Sequence, residues 1–402
     1  MTSAPDRPLL AGRILAFAGI LLVAANLRAA VSALSPILGR VSDDIPLSAV
    51  AIGLLGALPP VCFALFGIVT PMLVRRARLE PVLIVALVAI LAGHLIRSAA
   101  GNVGILLLGS AITFAGLGIG NVLLPPLVKK YFPDRIALVT SLYVTMLSVS
   151  AFIPPLVVVP VADAAGWRVS LGMWAVVSLL AIIPWVSALV HGRRNGGGSV
   201  VEEARSDVVR SLRRSPLAWA LASVFALSSM SAYAMFAWLP VMIEDIAGVD
   251  EATAGAMLSV FALMGFPAGL LIPVIASRMK NVALLVYLAV AFFVTGYLGL
   301  LLVPQTATVL WVALIGLGPL LFPLALVLIN LRTRTHDGAI ALSSFVQSVG
   351  YFVGALGPLV FGILHEVTGG WTVPLLTLLV LAMAAGAAGP ILAKRGKLED
   401  GA

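Results

Sequence analysis

Residues 191–215 read HGRRNGGGSVVEEARSDVVRSLRRS. This is the longest hydrophilic stretch in a chain of 402 residues. Six apolar runs precede it and six follow it. A membrane-spanning helix needs roughly 20 mostly apolar residues. Runs at 13–38, 48–72, 81–100, 103–126, 137–160 and 168–190 meet that length before the stretch. Runs at 216–242, 252–276, 282–303, 307–330, 339–364 and 372–393 meet it afterwards. They are too long for barrel strands and lack the two-residue alternation of such strands. The pattern predicts an all-α membrane protein of twelve transmembrane helices. Its parts are a six-helix half at 1–190, a linker loop at 191–215 and a second six-helix half at 216–402. Gly196, Gly197 and Gly198 start the linker flexibly. Residues 200–214 would suit a short basic helix on the membrane surface. A solvated linker that sets orientation is the simpler reading.

Composition agrees. Hydrophobic residues make up 61% of the chain and charged residues 10%. Soluble domains run at roughly 45–50% apolar and about 25% charged. A soluble enzyme, a nucleic-acid-binding domain and a secreted scaffold are thereby excluded. The net charge of +8 does not signal nucleic acid, because the basic residues sit in short connectors. Of the 25 Lys and Arg, only Arg40 and Arg168 fall in the connectors on one side of the membrane. Arg28 and Arg97 lie within spans, and the rest lie on the other side. The positive-inside rule places both termini in the cytoplasm. Removing the first run as a signal peptide would invert this pattern, so it is read as retained.

The two halves resemble each other at one offset. Adding 203 carries Ser141 to Ser344, Pro155 to Pro358, Asp163 to Glu366 and Gly166 to Gly369. The same offset carries Arg75 to Arg278. Parallel six-helix repeats around a central site are a transporter layout.

The chemistry available is sparse. Cys62 is the single cysteine, so no intramolecular disulfide forms. His94, His191, His336 and His365 lack metal-ligand spacing. No phosphate-binding loop, zinc-protease motif or nucleophile elbow occurs, so neither an enzyme nor a cofactor is expected. All seventeen carboxylates fall in loops or at span ends. A carboxylate is the usual intramembrane partner for a cationic substrate. Its absence argues against a pump for cationic drugs.

One charge does lie at mid-depth. Arg28 is about fifteen residues into the first run, and a central arginine costs roughly 2.5–3.5 kcal/mol on insertion scales. Its planar donor fork suits a carboxylate or similar small anion. The competing reading is a structural arginine bonded to carbonyls of broken helices. Asn26 lies about 200° from Arg28 on a straight helix, so it is a site residue only if the helix is distorted; otherwise it packs. His94 and Arg97 share a face near the end of the third run. They are candidates for an outer cavity or proton site, although snorkelling to the headgroups is the simpler expectation for Arg97. Gln347 and Tyr351 lie with Ser343 on one stripe of the eleventh run. Tyr233 lies with Ser229 on a stripe of the seventh, and Trp238 follows it. Asn121 in the fourth run and Tyr143 in the fifth complete the binding candidates. For each, interhelical hydrogen bonding is the competing reading, and for Trp238 a place in the interfacial aromatic belt.

These features resemble the major facilitator superfamily. The connector GIVTPMLVRR at 67–76 resembles that superfamily's signature loop, with Pro71 in place of its usual Asp and Val74 in place of a later glycine. The chain resembles more closely the cyanate and 2-nitroimidazole transporter family. The matching segments are NLR at 26–28 with SP at 35–36, ALP at 57–59, LIR at 95–97, GIGNVLLP at 118–125, AWLP at 237–240 and FVQSVGY at 345–351 with GP at 357–358. The resemblance implies a twelve-helix transporter and strengthens Asn26, Arg28, Arg97, Trp238, Gln347 and Tyr351.

The expected function is secondary transport of a small polar solute, with an anion favoured. Two halves would rock about a central site anchored by Arg28, in the cell membrane, as a monomer. A neutral-compound exporter, for instance of 2-nitroimidazoles, is the alternative. A membrane sensor is a third reading, but the termini and the linker are short for an output module.

Overall fold

The computed structural model describes residues 13–191, 212–334, 336–394, 396 and 398. Most of the linker, with the possible surface helix at 200–214, lies outside the described residues. Every regular element among them is helical. Twelve helices are long and apolar enough to cross a membrane. In chain order the spans are Ile14–Ser32, Ala49–Val74, Leu79–Ser98, Val103–Val128, Leu138–Ala165 and Trp167–Val190, then Pro216–Ala247, Glu251–Arg278, Ala283–Leu302, Thr308–Leu331, Ala341–Thr368 and Thr372–Ala393. They are numbered 1 to 12 below. The end of the bundle that holds Ile14 is called the near end, and the opposite one the far end.

Local chemistry sets the helix ends. Ser48, Asn102, Ser215 and Asp250 each accept a hydrogen bond from the amide three residues on, and so cap spans 2, 4, 7 and 8. Spans 5, 7 and 11 run four or five residues past the ends expected from hydropathy. Hydropathy marks the edge of the hydrocarbon, whereas the helix continues until the backbone is turned. Gly166, Gly248 and Gly369 do the turning, with φ of 84°, 70° and 67°. Gly166 and Gly369 are the pair related by the 203-residue offset. A second correspondence follows them: the Trp167 indole donates to Asp44 at 2.9 Å, and the Trp371 indole donates to Asp245 at 2.7 Å. In both halves the start of the last span is tied to the far end of the first.

Span 1 departs from the single helix expected at 13–38. It is helical over Ile14–Asn26, breaks at Leu27 and Arg28, and resumes over Ala29–Ser32. A 3-10 turn over Ser35–Ile37 and a short helix over Leu38–Asp44 follow. The hydrogen bonds around the break are local. The Asn26 side chain donates to the Leu22 carbonyl at 2.8 Å, the acceptor its own backbone amide would use. The Leu27 amide bonds only three residues back, to Ala24 at 3.1 Å. Pro36 has no amide to continue the ladder beyond Ser32.

Each half has its own apolar core, with Trp185 and Phe132 fully buried in the first and Phe293 and Tyr297 in the second. The halves meet where span 2 packs on span 11 and span 5 on span 8. At the far end this meeting is tight. A Cβ on Gly56 would lie 2.6 Å from Ala237 Cβ, and one on Gly255 would lie 2.8 Å from the Pro155 carbonyl. The Arg40 Nε donates to Glu251 at 2.6 Å, and the Ser259 hydroxyl donates to the Phe152 carbonyl at 2.8 Å. Nearer the other end of the same helices, Gly67, Gly265 and Gly269 have nothing within 4 Å. The two halves are thus closed on each other at the far end.

Backbone contact between spans 3 and 4 is equally close, since a Cβ on Gly116 would lie 2.5 Å from the Ala86 carbonyl. Overpacking costs about 1–3 kcal/mol. Gly116→Ala is therefore expected to lower the melting temperature of the purified protein, and Gly67→Ala to leave it unchanged. Equal melting of both variants would contradict this packing.

Candidate functional site

The break in span 1 brings Arg28 into the middle of the bundle. Its backbone has φ −120° and ψ −18°, outside the helical well. Its carbonyl starts the next turn, accepting from the amides of Val31 at 3.1 Å and Ser32 at 3.3 Å. The side chain is half-buried. Its guanidinium lies over the Phe63 ring of span 2, 5.6 Å from the centroid. The same guanidinium is electrostatically close to Tyr233 of span 7 and Tyr351 of span 11. Phe63 meets Tyr351 edge-on at 6.4 Å, and Tyr351 meets Phe225 edge-on at 5.2 Å. Four helices, two from each half, therefore converge on one cation. No carboxylate among the described residues pairs with it.

A narrow cleft runs from Tyr233 toward the far end. Its wall is mostly apolar. Leu34, Ser35, Pro59 and Phe114 line it from the first half, and Tyr233 and Phe236 from the second. An apolar pocket with a few convergent polar groups is the usual form of a small-molecule site.

The remaining sequence candidates divide. Gln347 lies one turn from Tyr351 on span 11, half-buried, its amide donating to the Ser343 hydroxyl at 2.7 Å. Asn121 and Tyr143 are half-buried on spans 4 and 5, and no hydrogen bond of either side chain to a described residue is seen. No hydrogen bond joins any of these three to Arg28 among the described residues. Asn26 is 2% exposed and sits in the seam between spans 1 and 6, where the Ser178 hydroxyl donates to its Oδ1 at 2.6 Å. With Nδ2 on Leu22, both ends of that amide are engaged. Trp238 is buried away from the interfacial belt. Its indole donates to the Pro358 carbonyl at 2.9 Å, and its ring packs on Trp371 at 5.7 Å.

His94 and Arg97 are also buried, at 2% and 1% exposure. Arg97 does not snorkel to the headgroups as expected. Depth along the sequence suggested snorkelling, but span 4 packs over the side chain. The closest backbone approach there is at Gly109, where a Cβ would lie 2.8 Å from the Arg97 amide.

Phe63 was not among the sequence candidates. A search for polar groups within spans passes over an aromatic ring. Its only signal was its place one helical turn after Pro59, which gains meaning once Arg28 is known to face it.

The sequence model of the Major Facilitator Superfamily matches residues 17–355. The chain is 34% identical over 375 residues to an uncharacterized transporter, YycB, of Bacillus subtilis (strain 168), covering 92% of this chain and 91% of that one. It is 33% identical over 373 residues to the 2-nitroimidazole transporter of Escherichia coli (strain K12), covering 92% and 93%. It is 26% identical over 357 residues to the cyanate transport protein CynX of the same organism, covering 88% and 90%. Among solved structures, a bacterial homolog of the human lysosomal transporter Spinster, in an inward-facing and unoccupied conformation, superposes with a TM-score of 0.77. That match is at 15% identity, covers 97% of this chain and 98% of the other, and speaks for the fold. Twelve spans in two halves, the family match and the full-length relatives agree: the chain belongs to the major facilitator superfamily, among the relatives of the 2-nitroimidazole and cyanate transporters.

Proposed function

We propose that this chain carries a small anion across the plasma membrane, with Arg28 as its electrostatic anchor. One observation carries the reading: a half-buried guanidinium at a helix break, beside Phe63, Tyr233 and Tyr351, without a carboxylate partner among the described residues. An unpaired charge at that depth is costly. A solute that brings the opposite charge recovers the cost, and the guanidinium fork binds a planar anion through two parallel bonds. The Phe63 face holds the guanidinium by cation–π contact. The Tyr233 and Tyr351 hydroxyls orient the solute, and Gln347, Asn121 and Tyr143 shape its path toward the near end.

The near end is the cytoplasmic one, by the distribution of Lys and Arg over the connectors. Closure at the far end through Arg40, Glu251 and the glycine contacts leaves the site reached from the cytoplasm. Rocking of the halves exchanges this closure for one at the near end. The name of the 26% identical cyanate carrier supports an anion. The apolar cleft and the name of the 33% identical relative support a second reading, a neutral nitro-heterocycle whose nitro oxygens accept from Arg28.

Ligand-induced thermal stabilisation separates the two. A ligand at 100 times its dissociation constant adds about 2.7 kcal/mol if it binds only the folded state. Cyanate, nitrate or a short carboxylate is expected to raise the melting temperature of the wild type and to lose that effect in Arg28→Ala. Arg28→Lys keeps the charge but lacks the fork, and is expected to weaken binding about tenfold. Stabilisation by 2-nitroimidazole alone, kept in Arg28→Ala, would refute the anion reading.

Orientation has its own check. In a Cys62→Ala background, Gln305→Cys between spans 9 and 10 is expected to react with an impermeant maleimide added to whole cells. Asn281→Cys between spans 8 and 9 is expected to react only after lysis. The reverse pattern would invert the topology.

A further inference from the structure

Arg97 is among the largest fully buried side chains of the protein and is almost without partners. Its Nη1 donates to the Ala30 carbonyl at a long 3.4 Å. Its Nε and Nη2 have no hydrogen-bond partner. No ion pair of Arg97 is seen among the described residues. The nearest compensation is the face of Phe114, 5.9 Å from the guanidinium carbon. Burying an uncompensated cation costs several kcal/mol. A side chain held for structure alone would be expected to spend its donors on carbonyls, as Arg332 does on Leu392 at 2.8 Å.

The place of this cation is informative. Ala30, whose carbonyl accepts from Arg97, and Phe114, whose ring its guanidinium faces, both line the cleft that runs from Tyr233 toward the far end. The Ser35 hydroxyl, on the same wall, is buried and equally unpartnered. The cleft is shut on its other side by Tyr233, Phe236 and Ala237 of span 7, from the second half. Separation of the halves at the far end would withdraw that side and open the cleft to the outer water. Arg97 lies behind that wall, with its guanidinium facing the Phe114 ring that forms part of it.

We propose that Arg97 and Ser35 form a second anion subsite, used when the far end is open, which receives the solute from outside and passes it to Arg28. This rests on the anion reading above. Arg28 precedes the Ala29–Ser32 turn and Arg97 donates to the Ala30 carbonyl within it, so the solute moves from one fork to the other along span 1. The unsatisfied donors of Arg97 are the cost borne in the closed state for a bond made in the open one. Phe114 is the shutter that keeps the empty subsite dry.

The test uses the full chain in proteoliposomes of known orientation, with labelled cyanate as probe and Arg97→Met, Arg97→Lys and Arg28→Ala as variants. A charged hydrogen bond contributes about 1.5–3 kcal/mol, so Arg97→Met is expected to raise the KM for cyanate added outside about tenfold or more. The KM for cyanate leaving from the cytoplasmic face should stay within about twofold. Arg97→Lys should lie between Met and wild type on the outside. The melting temperature of Arg97→Met without ligand should equal or exceed that of the wild type, because an uncompensated charge has been removed. A clear fall in that melting temperature would mark Arg97 as structural and overturn the proposal. An unchanged outside KM in Arg97→Met, with transport lost in Arg28→Ala, would overturn it while leaving the anion reading intact. Wild-type cyanate transport that survives in Arg28→Ala, or no cyanate transport at all, would overturn both.

Discussion

Hydrocarbon offers no hydrogen bonds, so every backbone amide that crosses it must find a partner inside the protein. This constraint makes the fold helical and also decides where a helix can stop. Span 1 stops at Leu27 and Arg28, where Asn26 has taken the Leu22 carbonyl for its side chain. The interruption lies in the interior of the bundle rather than against lipid. Asn26 lies in the seam with span 6, and Arg28, about 200° round the helix from it, lies toward Phe63.

The interface between the halves shows where cohesion is concentrated. At the far end it rests on glycine-mediated backbone approach and on the bonds of Arg40 and Ser259. Each such hydrogen bond contributes about 0.5–1.5 kcal/mol net, and somewhat more where charge is involved. Small terms of this kind hold a state without locking it. Within each half the contacts are of another order, with continuous apolar cores and buried tryptophans. Rigid halves joined by a modest interface are the mechanical arrangement that the proposed rocking needs.

Polar residues inside spans have three distinct fates here. Asn26 and Trp238 are satisfied within the protein, by Ser178 and Leu22 and by the Pro358 carbonyl. Arg28 is half-open and surrounded by aromatic faces. Arg97 is sealed and left with spare donors. All of them look alike on a hydropathy plot. The distinction lies in whether the neighbouring helix offers an acceptor, a ring or empty space.

The architecture was legible in the chain itself. Hydropathy marks twelve spans because hydrocarbon thickness is a fixed length, and the linker at 191–215 divides them because charge cannot stay in lipid. Gly166 and Gly369 announced the repeat, since a left-handed turn leaves few other choices of residue. Arg28 stood out because a mid-span arginine is rare for an energetic reason. The candidate site was legible only in part. Phe63 carries no polar signal, yet it is the ring beneath the guanidinium. Arg97 reads from depth as a snorkelling residue, yet the close approach of Gly109 seals it in. Sequence alone determined which groups are costly to bury, because that cost belongs to each residue and the solvent around it. Only the tertiary structure decided which of them find a partner, because partners come from helices far apart in the chain.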